Sequence, residues 1–177
     1  MKPLKSVGRI RNPYSKRILK NVIDKDPMKV LAATPNRLLR LVRGLTEKQL
    51  RKPPSPGKWS ISQLVCHLSD AEVVFAFRLR MTVAQSGSPL QAMDEQKWAA
   101  GLGYERANVG SKVQLFTAMR KDHLTLLKSF KRGDFERFGM HEERGKETIE
   151  RMVQMYAGHD VNHLGQIEMI RKQVVAR

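Results

Sequence analysis

The amino-acid sequence predicts an all-α protein, an antiparallel four-helix bundle in which one connection is a long crossover. Apolar residues recur every three or four positions in four separate segments, which is the pattern of helices with one buried face. No segment alternates apolar and polar residues over the length of a strand. A long segment broken by glycines, residues 90–110, separates the second and third periodic segments and can cross the bundle. The chain of 177 residues, 41% of them hydrophobic, is long enough for one such core.

Predicted helix 1 covers about residues 34–44. Thr34 can cap it, and Pro35 then takes the first helical position, where its missing N–H leaves no hydrogen bond unmade. Asp26-Pro27 is a second plausible start. Residues 51–58 contain three prolines and a glycine, so they predict a turn-rich connection to the next helix.

Predicted helix 2 begins after Ser60 and ends near Gln85. Its start is indicated by Ser60 and Gln63, which have the spacing of a capping box. The crossover that follows is expected to hold at most short helical pieces. The remaining predicted helices cover about residues 94–100 within the crossover, 111–130 with Ser111 as the cap, and 148–175.

Charge divides the chain into two predicted parts, a basic N-terminal arm at residues 1–25 and a bundle domain at residues 26–177. The chain has 33 Lys and Arg against 17 Asp and Glu, a formal net charge of +16, and seven basic residues precede the first acid, Asp24. A charge of this size attracts nucleic acid, another polyanion or an acidic substrate. A solvated arm is nevertheless the simpler interpretation of the first 25 residues.

Cysteine content and hydropathy predict a cytoplasmic protein without a membrane segment. Cys66 is the only cysteine, so an intramolecular disulfide is excluded and a reducing compartment fits best. No apolar run approaches the roughly 20 residues that cross a bilayer. The N-terminus also lacks the apolar stretch of a secretory signal.

Three histidines form a candidate metal site. His159 and His163 lie about 40° apart around the axis of predicted helix 4 and about 6 Å apart along it, on its apolar face. Burying two imidazole rings costs free energy unless a partner satisfies them, and either hydrogen bonds or a metal ion can do so. His67 of predicted helix 2 also faces inward. Three such imidazoles match an open site for one divalent ion, with water or substrate in the remaining position.

Several blocks of the sequence resemble the DinB-like superfamily of metal-binding four-helix bundles, over about residues 30–172. The blocks are Gly57-Lys58-Trp59-Ser60, His67-Leu68-Ser69-Asp70-Ala71-Glu72 with Arg78, Asp94-Glu95-Gln96-Lys97-Trp98, Arg120, His141-Glu142-Glu143-Arg144-Gly145 and Gly158-His159-Asp160-Val161-Asn162-His163-Leu164-Gly165-Gln166-Ile167. The resemblance implies that His67, His159 and His163 are the three metal ligands. The superfamily includes YfiT-type hydrolases and bacillithiol, mycothiol and glutathione transferases, and its members are often dimers. The resemblance therefore implies a metal-dependent protein but does not determine which reaction it catalyses.

Arg120 and His141 are the candidate catalytic side chains outside the metal site. Arg120 lies on the apolar side of predicted helix 3, so its charge needs a carboxylate partner or an anionic ligand. His141 precedes predicted helix 4, where it could reach the mouth of the metal site as a proton-transfer group or remain an ordinary surface residue.

These features predict a metal-dependent enzyme that activates a thiol or water, either a thiol S-transferase or a hydrolase of small electrophilic substrates. Zinc and nickel are the expected ions, because imidazole binds late first-row metals well. The alternative is a basic module that binds nucleic acid or another polyanion and uses the metal only for structure. A third hypothesis is a bundle whose histidines are satisfied without an ion.

Overall fold

The structure is a computed structural model that describes residues 3–176. Within this range the helices are α1 (Pro13–Leu19), α2 (Pro27–Val42), α3 (Glu47–Arg51), α4 (Ile61–Ala84), α5 (Glu95–Gly101), α6 (Val109–Ser129) and α7 (Ile149–Val175), with 3-10 turns at Lys20–Val22 and Arg132–Glu136. The strands are β1 (Pro89–Leu90), β2 (Phe138–His141) and β3 (Gly145–Thr148). Among the described helices, none is long and apolar enough to span a bilayer.

Four long helices form a bundle in which α2 and α4 each pack against both α6 and α7. Two contacts show that helices α4 and α6 run parallel. In the first half of both helices, Lys112 of α6 donates to Asp70 of α4. In the second half of both helices, Arg80 of α4 donates to Asp122 of α6. Parallel neighbours require a crossover, and residues 85–108 provide it. Helix α7 runs antiparallel to α4. The predicted four-helix bundle with one long crossover is thus confirmed.

Helix α2 begins earlier than predicted, at Pro27, where the Asp26 carboxylate accepts hydrogen bonds from the first turn. Pro35 therefore lies inside the helix instead of at its start. A proline there removes the N–H that would bond the carbonyl four residues earlier. That carbonyl belongs to Leu31, and Arg120 Nη1 donates to it at 3.1 Å. A side chain from α6 thus replaces the missing backbone donor.

The other helix boundaries agree closely with the sequence. Ser60 caps α4 and forms the expected capping box with Gln63. Thr148 caps α7. The start of α6 differs, because Asn108 and not Ser111 is the cap, and its side chain accepts from the Ser111 N–H at 2.9 Å.

A small sheet, absent from the sequence prediction, combines β1 from the crossover with β2 and β3 from the segment between α6 and α7. Strands β2 and β3 form an antiparallel hairpin, and β1 pairs with β2 in parallel. Gly139 is required at this point, since a Cβ there would contact the Leu90 side chain at 2.5 Å. Strands of two to four residues are too short to show an alternating pattern, which explains why they were not predicted from the sequence.

The expectation of a solvated N-terminal arm is wrong for residues 13–22. This segment folds as α1 and a 3-10 turn and packs against α7. Ile18, Leu19 and Val22 are buried in the same core cluster as side chains of α7. The basic residues of this segment are exposed and lie opposite a short apolar face. Because basic residues dominate its composition, the sequence predicts a solvated arm instead of a packed helix.

The close approach of α1 to α7 depends on Gly158. A Cβ at this position would overlap the carbonyl oxygen of Ile18. Asn21 Nδ2 donates to the Gly158 carbonyl oxygen at 3.1 Å and holds the two segments together. The position of α1 is thus set next to His159, the following residue of α7.

We expect Gly158→Ala to lower the free energy of unfolding by about 1–3 kcal/mol, because the added methyl group must displace backbone atoms of α1. Gly165→Ala is the matched control in the same helix, where a Cβ meets no atom within 4 Å. It should raise stability by up to about 1 kcal/mol through helix propensity. Urea unfolding measures both changes. Equal effects of the two substitutions would contradict the packing described here.

Candidate metal centre

Three histidine side chains converge in the interior of the bundle. His67 comes from α4, and His159 and His163 come from successive turns of α7. Their candidate ligand atoms all lie within 4.8 Å of one another, and His67 Nε2 is 2.9 Å from His159 Nε2. All three residues are buried. The structure thus brings together the three residues that the sequence singled out.

The hydrogen bonds of the rings leave their other nitrogens available to the cluster. His163 Nδ1 bonds Gln166 Oε1 at 2.7 Å, so its Nε2 is free of this contact. His67 Nδ1 and His159 Nδ1 are buried and have no hydrogen-bond partner among the described residues. Two neutral imidazoles whose Nε2 atoms face each other can share at most one proton, whereas a cation can be bound by both lone pairs. The three residues therefore fit a divalent ion of the kind that imidazole binds.

The histidines are neutral over the physiological range. Burial lowers the pKa of His67 to about 3, with a smaller contribution from His163. Burial likewise lowers the pKa of His163 to about 4, partly offset by its bond to Gln166. The pKa of His159 lies well below its ordinary value because of burial and the two neighbouring rings. Neutral imidazoles keep the lone pairs that a metal requires.

A cleft of about 380 Å³ opens onto the histidine cluster. It is walled by the crossover, by the β2–β3 turn, and by α1, α4 and α7. Besides His67 and His159, its lining residues include Tyr14, Arg17, Arg78, Glu95, Arg144 and Tyr156. Tyr14 and Arg17 belong to the segment expected to be a solvated arm, so that segment forms part of the site.

Among the ion pairs of the described residues, Glu95 supplies the one carboxylate that approaches any of the three histidines. Its Oε2 atom lies 3.8 Å from His67 Nε2, and its side chain is 51% exposed. It sits in the first turn of α5, whose start is fixed by the side chain of Asp94 accepting from Lys97 N–H. Only the tertiary fold places this residue beside His67.

Arg120 does not line the cleft, and all five of its N–H groups have protein acceptors. Nε and Nη2 bond the Glu72 carboxylate at 2.7 Å each, and Nη1 and Nη2 bond the Asp160 carboxylate at 2.6 and 3.3 Å. The remaining Nη1 donor bonds the carbonyl of Leu31. Of the two alternatives that the sequence left open, the structure shows carboxylate partners for Arg120. The geometry gives it no contact through which to act as a catalytic residue.

His141 is buried in β2 and is not a surface residue. Its Nδ1 accepts a hydrogen bond from the Glu143 N–H at 3.1 Å, and it is absent from the cleft wall. Burial, followed by the charge of Arg144, lowers its pKa to about 4. A role for His141 in proton transfer stays a prediction, without a direct contact to the histidine cluster.

Comparison with known sequences gives one family. The sequence model described as the DinB superfamily matches residues 31–167, which confirms the resemblance noted from the motifs. A Bacillus mycoides protein named "Putative metal-dependent hydrolase" is 26% identical over 161 residues, covering 91% of this chain and 92% of that protein. A Bacillus cereus protein with the same name is 26% identical over 140 residues, covering 79% of this chain and 80% of its own length.

Comparison with solved structures gives the same fold. YfiT from Bacillus subtilis superposes with a TM-score of 0.79 and 22% sequence identity, covering 98% of this chain and 93% of YfiT. That protein is described as "a probable metal-dependent hydrolase with an unusual four-helix bundle topology". The parallel arrangement of α4 and α6 agrees with an uncommon topology, since simple bundles alternate direction.

We expect Arg120→Met to lower the free energy of unfolding at pH 7 by about 3–5 kcal/mol, because it removes the guanidinium that two buried carboxylates share. Arg80→Met is the control, since Arg80 pairs with Asp122 at the surface and should contribute at most about 1 kcal/mol. Denaturant titrations of both variants measure the difference. A loss below that of the control would show that the buried pairs are not formed.

The effect of Arg120→Met on the free energy of unfolding should depend on pH. Burial raises the pKa of Glu72, but the charge and hydrogen bonds of Arg120 outweigh burial and bring that pKa below its ordinary value. In the native protein, the stabilisation from Glu72 is therefore present above about pH 4.3 and lost as the pH falls through the folded-state pKa. Without Arg120, burial is opposed only by His123, whose Nδ1 lies 2.7 Å from Glu72 Oε1, so Glu72 should protonate at a higher pH than in the native protein. The gap in stability between native protein and variant should consequently narrow on acidification.

Proposed function

We propose that this chain, which belongs to the DinB superfamily, is a metal-dependent hydrolase whose divalent ion is held by His67, His159 and His163. The observation that carries the proposal is the cluster of three buried, neutral imidazoles, of which His67 and His159 line a cleft. The names of the Bacillus relatives support hydrolysis as the reaction class. The cleft volume of about 380 Å³ suits a small-molecule substrate.

A divalent ion bound by three neutral imidazoles keeps its charge and supplies Lewis acidity, which lowers the pKa of a water or thiol beside it. The protein contributes the orientation of the ligands. Gln166 holds the ring of His163 through Nδ1, and the indole of Trp59 packs 5.2 Å from the ring of His67. Fixed rings of this kind are typical of sites in which neighbouring residues tune the ligands.

Glu95 is our candidate for the general base. Its carboxylate lies beside His67 at the edge of the cluster, where it can accept the proton of an attacking water. Its half-exposed position leaves it able to pass this proton to solvent. Because Glu95 belongs to α5, the crossover would take part in catalysis as well as in topology.

Sulfur transfer is the second form of the proposal. With a thiol in place of water, the same cluster would promote attack of sulfur on an electrophile, as the thiol transferases of the superfamily suggest. We further propose zinc or nickel as the ion, a cytoplasmic location and a homodimeric state. Binding of nucleic acid or another polyanion through the net charge of +16 is the rival function.

Protein purified without a histidine tag should carry about one divalent ion per chain, as an open three-histidine site predicts. His163→Ala should remove most of this metal. His141→Gln, which alters a buried histidine outside the cluster, should retain it. Elemental analysis of dialysed protein provides the measurement. Full metal content in the His163 variant would refute the assignment of the ligands.

Metal binding should also resist acid. The pKa of His67 near 3 and of His163 near 4 means that protons compete weakly for these rings, so metal should remain bound from pH 7 to about pH 5. In a site made of ordinary histidines, with pKa values near 6.5, the metal affinity would fall steeply over this range, because protons compete for each ring. Metal content after equilibrium dialysis at each pH distinguishes the two cases.

A screen of small esters, amides and lactones on metal-loaded protein, with and without low-molecular-weight thiols, tests the reaction. We expect turnover without thiol, and a roughly 100-fold or greater loss of kcat in Glu95→Gln at unchanged metal content. Glu105→Gln is the matched control, since Glu105 is similarly exposed and pairs with Arg106 in the crossover. Turnover that requires a thiol would favour S-transfer. Nucleic-acid binding that weakens steeply with salt, without turnover, would favour the rival function.

A further inference from the structure

Arg78 is a buried arginine without a carboxylate partner. It belongs to α4, lines the cleft and is only 6% exposed. Within residues 3–176, no Asp or Glu pairs with it. Arg120 shows how this fold otherwise treats a buried guanidinium, with two carboxylates and all five N–H groups bonded. A buried charge that lacks such compensation is costly unless a ligand provides it.

The donors of Arg78 are mostly unused. Nη2 donates to the carbonyl oxygen of Gln91, and Nη1 donates to the Tyr156 hydroxyl at 3.4 Å. Its Nε is buried and has no partner among the described residues. Three of the five N–H groups thus have no protein acceptor in this part of the chain. The guanidinium fork matches the two oxygens of a carboxylate or phosphate group.

Tyr156 connects this arginine to the histidine cluster. Its ring stacks on Phe75 with centroids 4.1 Å apart and an interplanar angle of 22°, which fixes the position of the hydroxyl. The same ring lies 6.4 Å from the ring of His159, centroid to centroid. One tyrosine ring therefore separates the guanidinium of Arg78 from the proposed metal ligands.

The other charged groups of the cleft are paired or exposed. Arg144 bonds Glu147 through two nitrogens, and Asp94 bonds Lys97. Arg17 is exposed and lies over the ring of Tyr14, where it adds positive potential to the cleft. Glu95 and Glu143 are exposed, and within the described chain neither carboxylate pairs with Arg78. Arg78 is thus the buried, uncompensated charge of this cleft.

We propose that the substrate carries an anionic group, a carboxylate or a phosphate, which binds Arg78 while its reactive bond lies at the histidine cluster. This inference rests on the proposed function, since it defines the substrate class of the same site. Arg17 attracts the anion toward the cleft, and Tyr156 keeps the Arg78 fork oriented. The cleft thereby selects small anionic electrophiles over neutral ones.

Anion binding can be tested without turnover, by nuclear magnetic resonance of the arginine Nε–H groups in ¹⁵N-labelled protein. Inorganic phosphate and, separately, succinate are titrated into the protein as purified and after dialysis against a chelator. We expect a saturable shift of the Arg78 signal in both preparations. Arg80, two residues away, exposed and paired with Asp122, is the internal control and should show no saturable shift.

Each outcome of this titration bears on the proposal. No shift at Arg78, or equal shifts at Arg78 and Arg80, would overturn it. A shift that disappears with the chelator would place the anion on the ion instead, which overturns the Arg78 site and leaves the metal-dependent function intact. A response to phosphate alone or to succinate alone identifies which anionic group fits the fork.

Kinetics provide a second test with two esters that differ only in a distal carboxylate or a neutral amide. Arg78→Gln should raise KM for the charged ester roughly 10- to 100-fold more than KM for the neutral ester, as loss of a hydrogen bond to a charged group predicts. Arg80→Gln should change neither value. Equal effects of Arg78→Gln on both esters would assign Arg78 a structural role. If native protein hydrolyses neither these esters nor any compound of the screen of small esters, amides and lactones, the proposed function fails, and the titration alone decides the anion site.

Discussion

The fold depends on one buried side chain that joins all four helices of the bundle. Arg120 of α6 bonds Glu72 of α4, Asp160 of α7 and the Leu31 carbonyl of α2. Pro35 makes the last bond possible, because it leaves that carbonyl without its helical donor. Charges buried in this way tolerate little displacement, since each must keep its partners. The relative positions of the helices are therefore fixed at the level of this arginine.

The ion pairs of Arg120 with Glu72 and Asp160 also influence the position of the candidate metal ligands. Asp160 follows His159 directly, so the bonds that hold α7 to α6 also orient the turn that carries a candidate ligand. In the cleft, the guanidinium of Arg78 lies one tyrosine ring away from the same histidines, so the two proposals place a metal and an anion next to each other in one site.

The sequence predicted what depends on local chemistry. Capping residues and apolar spacing located α4 and α7, and the same spacing placed the histidines on their inner faces. Features that depend on tertiary contacts could not be predicted from the sequence. The apolar face of α1 is too short to stand out among basic residues, and it packs only because Gly158 admits its backbone. Glu95 and Arg78 lie in sequence blocks that resemble the superfamily, but no role could be assigned to them from the sequence. Their proposed roles follow from the approach of α5 to His67 and from the lack of a paired carboxylate at Arg78 within the described chain.

The central claim is that α4 and α7 jointly hold one divalent ion. Diffraction from crystals grown with zinc or nickel, recorded on both sides of the absorption edge of the metal, tests it most directly. The account predicts one anomalous peak per chain, at bonding distance from the ring nitrogens of His67, His159 and His163. A peak elsewhere, or no peak among these three rings at full metal loading, would contradict it.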